Sequence, residues 1–287
     1  MPHRAPDPPP APIGHYENFP VASLLCPAHL RAPIAAIYHF ARTADDLADE
    51  GDVSPAQRLL DLQAYRQDLQ DASQPQPSAS ARWPQVFGAL RLAIHTYHLP
   101  LPLLHDLLDA FVQDIEKTRD GAGYATQAEL LDYCRRSANP VGRLLLHLYG
   151  VTSTQALAMS DNICSALQLI NFWQDARCDI ARGRYYFPLQ DCQRFGVLQA
   201  DLLACRQTKN ATSLIANCAQ LACASMQKGA PLVHLVPGRA GWELRLVVQG
   251  GLRILDKIKT LHFATLTHRP TLKWWDFPIM LWRALWM

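Results

Sequence analysis

The chain has 287 residues, 49% of them hydrophobic and 18% charged, which excludes an intrinsically disordered polymer and leaves room for a continuous packed core. A net charge of +2, with no Lys/Arg run and no basic stripe interleaved with aromatics, excludes nucleic-acid binding. The charge is uneven, because residues 239–287 hold eight Lys/Arg against three Asp/Glu; such a basic end suits either solvent or anionic lipid headgroups.

The first element, MPHRAPDPPPAPIG at 1–14, has no apolar core of the kind a secretory signal carries and reads as a flexible Pro-rich tail. Beyond it, helical periodicity dominates and no alternating Val/Ile/Thr runs occur, so the fold class expected is all-α. The pattern predicts helices over 28–50, 54–72, 84–98, 101–118, 126–149, 153–182, 199–206, 209–235 and 239–262. Pro, Gly and the polar QPQPSAS segment at 74–80 punctuate them, and no linker separates two domains, so 15–265 is read as one helical domain. The last stretch, 266–287, contains KWWDFPIMLWRALWM. Its Trp residues suit either docking on the domain's own core or a membrane interface. Eight cysteines without a C-x-x-C pair read as buried thiols of a cytoplasmic protein. No run approaches the ~18 apolar residues of a membrane span, so any contact with the inner face of a membrane is expected to be peripheral.

Two constellations carry chemistry. In YHFARTADDLADE at 38–50, Asp45 and Asp49 share a helix face, and Asp46 and Glu50 form a second pair beside them. Like charges at i,i+4 cost roughly 0.2–0.5 kcal/mol per pair, and a helix C-terminus disfavours them further. Something cationic is expected to compensate them; the alternative is a solvated acidic helix end. In QLINFWQDARCDIARGRYYFP at 168–188, Asn171, Asp175 and Asp179 line one stripe of a helix among Leu169, Ile170, Phe172 and Trp173. Mg²⁺ takes hard oxygen ligands, commonly one or two carboxylates with phosphate and water. Two facing helices with spaced carboxylates would leave positions open for a diphosphate, and Arg182, Arg184 and Arg42 are candidate phosphate-binding cations. If a diphosphate leaves, a carbocation remains; Tyr38, Phe40, Tyr133, Phe172 and Trp173 supply nearby aromatic faces, although core packing is an equally ordinary role for each.

At these residues, from about His15 to about Arg269, the sequence resembles the squalene/phytoene synthase family. The paired signatures are DDLAD and NFWQD-x3-D-x2-RGR-Y-x-x-P. The resemblance assigns Asp45 and Asp49 to the first metal motif, with Tyr38 and Arg42 preceding it, and Gln168, Asn171, Asp175 and Asp179 to the second. It assigns Tyr133, Ala138, Val141 and Gly142 to the segment lining a prenyl cavity, and Tyr133 is the leading candidate for steering a cation or water. HYENFPVAS at 15–23, ARTADDLADEGD at 41–52 and YCRRSANPVGRLL at 133–145 are most similar to one bacterial branch, the hydroxysqualene synthases of hopanoid biosynthesis. That similarity implies conversion of presqualene diphosphate and water to hydroxysqualene, with about two or three Mg²⁺ ions and neither NADPH nor flavin. It also implies hand-over from a presqualene diphosphate synthase and on to a flavin-dependent reductase. Head-to-head condensation of prenyl diphosphates is the second reading and a non-catalytic scaffold the third; the intact Asp45, Asp49, Asp175 and Asp179 argue against the third. Two positions depart from the family pattern: Arg119 and Tyr124 are separated by DGAG, and Leu252 stands where many relatives carry an aromatic residue.

Overall fold

A computed structural model describes residues 26–75 and 80–287; the Pro-rich tail, the 15–23 segment and part of the 74–80 linker lie outside the described residues. The described residues form twelve α-helices and one 3₁₀ turn, without a strand. The all-α expectation holds.

Helix α1 (Ala28–Asp49) buries a stripe at helical spacing, Leu30, Ile34, Ile37, Phe40, Ala44 and Ala48. Helix α2 (Pro55–Ser73) begins where the Ser54 hydroxyl accepts the Gln57 amide and proline occupies the first turn. With α3 (Pro84–Tyr97) and α4 (Leu101–Asp120), these helices enclose a first core. At its centre Phe40 stacks on Tyr65 at 5.3 Å, and the Tyr65 hydroxyl donates to the Phe40 carbonyl at 3.0 Å.

A single helix is predicted over 126–149, but the chain breaks at Ala138 into α5 (Gln127–Ser137) and α6 (Asn139–Leu148). Pro140 has no N–H to bond back one turn, so it starts a new helix where it could not continue the old one. Helix α6 then lies hard against α7 (Thr154–Ala181): a Cβ at Gly142 would stand 2.6 Å from Cys164 Sγ and closer still to Ser160 Oγ. Helices α8 (Leu189–Phe195) and α9 (Gln199–Leu203) are short, and the first is absent from the sequence-based expectation. The helix expected over 209–235 is α10 (Lys209–Gly229) followed by a 3₁₀ turn (Ala230–His234), the change falling at Pro231. Helix α11 (Gly238–Thr260) completes a second core with α5, α7 and α10.

The Trp-rich end forms α12 (Asp276–Leu285), which docks on α11 through Asp276, Met280 and Ala284. Asp276 is fully buried, accepting from Arg253 Nε at 2.8 Å and the Lys273 amide at 2.7 Å, with Lys257 Nζ at 2.7 Å. Burial pushes its carboxyl up, but Lys257, the Lys273 amide and Arg253 outweigh that and hold it down at about 2. All eight cysteines are free thiols, five of them buried. No helix among the described residues is long and apolar enough to cross a membrane.

Candidate functional site

Between the two cores lies a cavity of about 520 Å³. Helix α1 contributes Ile34, Ile37, Tyr38, Arg42, Asp45 and Asp49 to its wall; α7 contributes Ile163, Cys164, Gln168, Asn171, Phe172, Asp175 and Asp179. Each stripe therefore runs from apolar to acidic toward its helix's C-terminus. From Ile34 to Asp49 that is a rise of about 22 Å at 1.5 Å per residue. Leu232, Val236, Ala240 and Leu244 also belong to the wall, so the chamber is largely greasy with a charged end.

The two helix ends meet there. Arg184, three residues beyond the end of α7, pairs with Asp49 at the last turn of α1, and Arg182 approaches Asp49 at 3.8 Å. Arg42 bridges Asp45 at 3.3 Å and Asp46 at 2.7 Å. Arg269, which the sequence did not single out, takes both oxygens of Asp175. The predicted cationic compensation is thus supplied by side chains. It is reinforced by Arg58 of α2, whose guanidinium donates to the carbonyls of Leu47, Glu50 and Gly51 at 3.3, 2.9 and 2.5 Å and closes the end of α1. Asp46 and Glu50 are not part of the cavity wall.

Asp179 differs from the other three motif aspartates. Its Oδ2 is buried without a hydrogen-bond partner. Burial, then the neighbouring Asp175 charge, push the carboxyl up to about 7 against the opposing pull of Arg182 and Arg269. A buried carboxylate oxygen without a donor is a position where a cation fits. No three His, Cys, Asp or Glu side chains among the described residues converge tightly enough to hold an ion alone. The donor set consequently suits ions shared between one or two carboxylates and phosphate oxygens.

A fifth carboxylate in the wall is Asp114 of α4. It accepts the Tyr133 hydroxyl at 2.6 Å; burial pushes its carboxyl up, the Tyr133 bond opposes this, and Asp45 and Asp179 add to the rise, to about 7. Sequence reasoning missed it although the signal was there: Leu104, Leu107, Leu108, Phe111 and Ile115 define the inward stripe of α4, and Asp114 falls on it.

Of the aromatic candidates, Tyr38, Tyr133 and Phe172 reach the cavity. Phe40 stays in the first core, and Trp173 stacks on Phe187 at 5.0 Å. Tyr186, not anticipated, lies on Phe172 at 3.6 Å with the rings nearly parallel, and Tyr133 stands 6.2 Å from both. Val141 and Gly142 line the wall, whereas Ala138 is the break between α5 and α6 and does not. Leu252 packs against the second core, outside the wall. In the DGAG turn, Gly121 ends α4 at positive φ; Arg119 turns outward onto Asp120, while Tyr124 is buried beside Tyr133 under the Lys117 ammonium.

The sequence profile of squalene/phytoene synthase matches residues 14–276, and the chain belongs to that family. It is a family of enzymes of squalene-type isoprenoid biosynthesis. Among solved structures, squalene synthase HpnC from Alicyclobacillus acidocaldarius superposes with a TM-score of 0.78 at 37% identity, over 87% of this chain and 90% of that one. The hydroxysqualene synthase of Zymomonas mobilis is 39% identical over 193 residues, 66% of this chain and 61% of that protein. The hydroxysqualene synthase of Sinorhizobium fredii is 32% identical over 85% of this chain and 79% of its own length. The phytoene synthase of Thermus thermophilus is 31% identical over 94% of this chain and 88% of its own length.

Proposed function

We propose that this protein is a hydroxysqualene synthase, converting presqualene diphosphate and water to hydroxysqualene and diphosphate. The observation that carries the reading is the meeting of two acidic helix ends and their arginines at one end of an otherwise apolar cavity. The hydroxysqualene synthases among its relatives supply the reaction.

In this reading Arg42, Arg182 and Arg184 take the diphosphate, as permanent cations that exchange intramolecular carboxylates for phosphate oxygens. Asp45, Asp49, Asn171, Asp175 and Asp179 would hold Mg²⁺, with Gln168 beside them. The metal supplies charge neutralisation to the leaving diphosphate. The apolar walls, with Val141 and Gly142, hold the hydrocarbon and exclude bulk water, which strengthens every electrostatic contact at the charged end. As the C–O bond breaks, its electron pair departs with diphosphate, and Tyr133, Phe172 and Tyr186 in the cavity wall would offer aromatic surface to the positive charge left behind. Tyr38, on the α1 stripe one turn before Arg42, borders the hydrocarbon and the charged end. Tyr133 is oriented by its bond to Asp114, so its ring is presented in one fixed pose. The rearranged cation is then captured by water oxygen, which loses a proton to give the alcohol. No nicotinamide or flavin enters this route. Substrate would come from a presqualene diphosphate synthase and product pass to a flavin-dependent reductase.

Head-to-head condensation is the second reading, favoured by the phytoene synthase relative that spans nearly the whole chain. Incubation with Mg²⁺ and either presqualene diphosphate or farnesyl diphosphate separates the two. In H₂¹⁸O the first should release diphosphate and yield labelled alcohol, unchanged by NADPH. Squalene as the main product with NADPH, or consumption of farnesyl diphosphate alone, would overturn the assignment.

A further inference from the structure

We infer that the outward face of α12 docks the protein on an anionic lipid surface. The inference rests on surface chemistry and not on which diphosphate is turned over.

Helix α12 is amphipathic in the inverse sense. Its inward stripe, Asp276, Met280 and Ala284, is anchored to α11 by the buried Asp276 ion pairs and by Arg245, which donates to the Ala284 carbonyl at 3.0 Å. At 100° per residue the opposite arc runs from Leu281 through Leu285, Pro278 and Trp282 to Trp286 and Ile279, without a charged side chain. All of it is exposed. Trp274, Trp282 and Trp286 are 77%, 62% and 76% accessible, and Trp275 and Phe277 extend the patch toward the N-terminal end. It continues onto α11, where Arg245 lies over the exposed Trp242 ring at 4.8 Å. Trp242 and the exposed Leu235 flank Val236 and Ala240, which line the greasy part of the cavity. A contiguous apolar surface of this kind on a folded chain marks an interaction site.

Charge decides the occupant. Lys273, next to Trp274, and Arg239, one turn before Trp242, are exposed and carry no ion pair among the described residues. The three carboxylates of the same segment are each paired or set in the cavity wall. Glu243 is in the cavity wall, Asp256 pairs with Arg283, and Asp276 is buried between Arg253 and Lys257. A second copy would present the same patch to itself, since a two-fold interface is self-complementary, and would bring cations onto cations. An anionic bilayer offers what the patch lacks: a headgroup layer that accepts indole rings, acyl chains beneath it, and phosphates for Lys273 and Arg239.

The full chain is mixed at low salt with phosphatidylcholine vesicles and with vesicles containing about one third phosphatidylglycerol. Binding is read by co-sedimentation and by quenching of Trp fluorescence with brominated acyl chains. Wild type should bind the anionic vesicles with quenching and the neutral ones more weakly. Trp282→Ser with Trp286→Ser should weaken binding about tenfold or more, and Lys273→Glu by a smaller factor that raised salt abolishes. Both variants should keep the wild-type melting temperature, since the altered side chains are exposed. Wild type that stays in the supernatant with unquenched fluorescence overturns the proposal. So does a dimer in sedimentation velocity that the double Trp variant dissociates and that does not bind vesicles; the patch would then join two copies.

Discussion

The two acidic motifs look alike in sequence and are finished differently in structure. Each places aspartates four residues apart in the last turns of a helix, where the dipole opposes them. Helix α1 is closed from outside by the Arg58 side chain, and its Asp49 is held by arginines that follow the other motif. Helix α7 closes itself: Gly183, at φ 77°, turns the chain so that the Arg182 and Arg184 amides bond back to Cys178 and Asp179. Asp175 is tied to Arg269, while Asp179 keeps a buried oxygen unsatisfied. The first motif is a compensated surface and the second holds stored demand for a cation, which is how similar residue strings can serve one site unequally.

The largest expected effect tests whether both halves are needed. Asp45→Asn and Asp175→Asn should each lower turnover about a thousandfold or more, about 4 kcal/mol of barrier, while unfolding stability moves by about 1 kcal/mol or less, because Asp45 and the Arg269 partner of Asp175 are about half exposed and Asn keeps the shape of each side chain. Melting curves beside a diphosphate-release assay check this. A variant that loses both activity and several kcal/mol would make that motif structural.

Asp276 supplies the contrast of a carboxylate whose charge is fully matched. Asp276→Asn leaves Arg253 and Lys257 facing a neutral group and should cost ~3 kcal/mol. Its carboxyl sits near 2 in the folded chain against 3.8 ordinarily. Folding is therefore favoured above the unfolded value, and the advantage is lost as pH falls from about 4 to about 2. Chemical denaturation across that window should show wild type and variant converging.

Next in size, Mg²⁺ and diphosphate together should raise the melting temperature by more than the sum of either alone, with ~2.7 kcal/mol available when ligand is at a hundred times its Kd. Strictly additive shifts in a two-ligand matrix would argue against a shared site. The smallest effects probe the two closures. Arg58→Ala should cost ~1 kcal/mol by freeing the carbonyls at the end of α1, and Gly183→Ala a similar amount through left-handed strain after α7. Hydrogen exchange should show each loss confined to its own helix end.

The helical class and both aspartate stripes were legible because helix periodicity is local: Asp45 and Asp49, or Asn171, Asp175 and Asp179, need only spacing. Asp114 lies on an inward stripe of the same kind, but a lone acid has no repeating partner in the sequence to mark it. Arg269 and Tyr186 reach the site, and Arg58 the end of α1, only through tertiary packing, which no spacing in their own segments announces. The break at Ala138 was written in Asn139-Pro140, yet a proline in the first turn of a helix and one inside it read alike until the neighbours are known. Helix α12 carries its apolar face outward, so a rule that turns apolar faces inward could not orient it.

The cavity is also a seam. The core around Phe40 and Tyr65 and the core around α7 and α10 are separate clusters, and the chamber occupies much of the space between them. Leu144 and Leu146 of α6 enter different cores, and Tyr149 touches both. Around the chamber the two clusters are joined by α6 and by the packing of α4 on α5 and α6. A long hydrocarbon lying in the chamber, as the proposed reaction requires, would touch both clusters at once, so its binding should raise hydrogen-exchange protection in both together, the ligand acting as mortar as well as reactant.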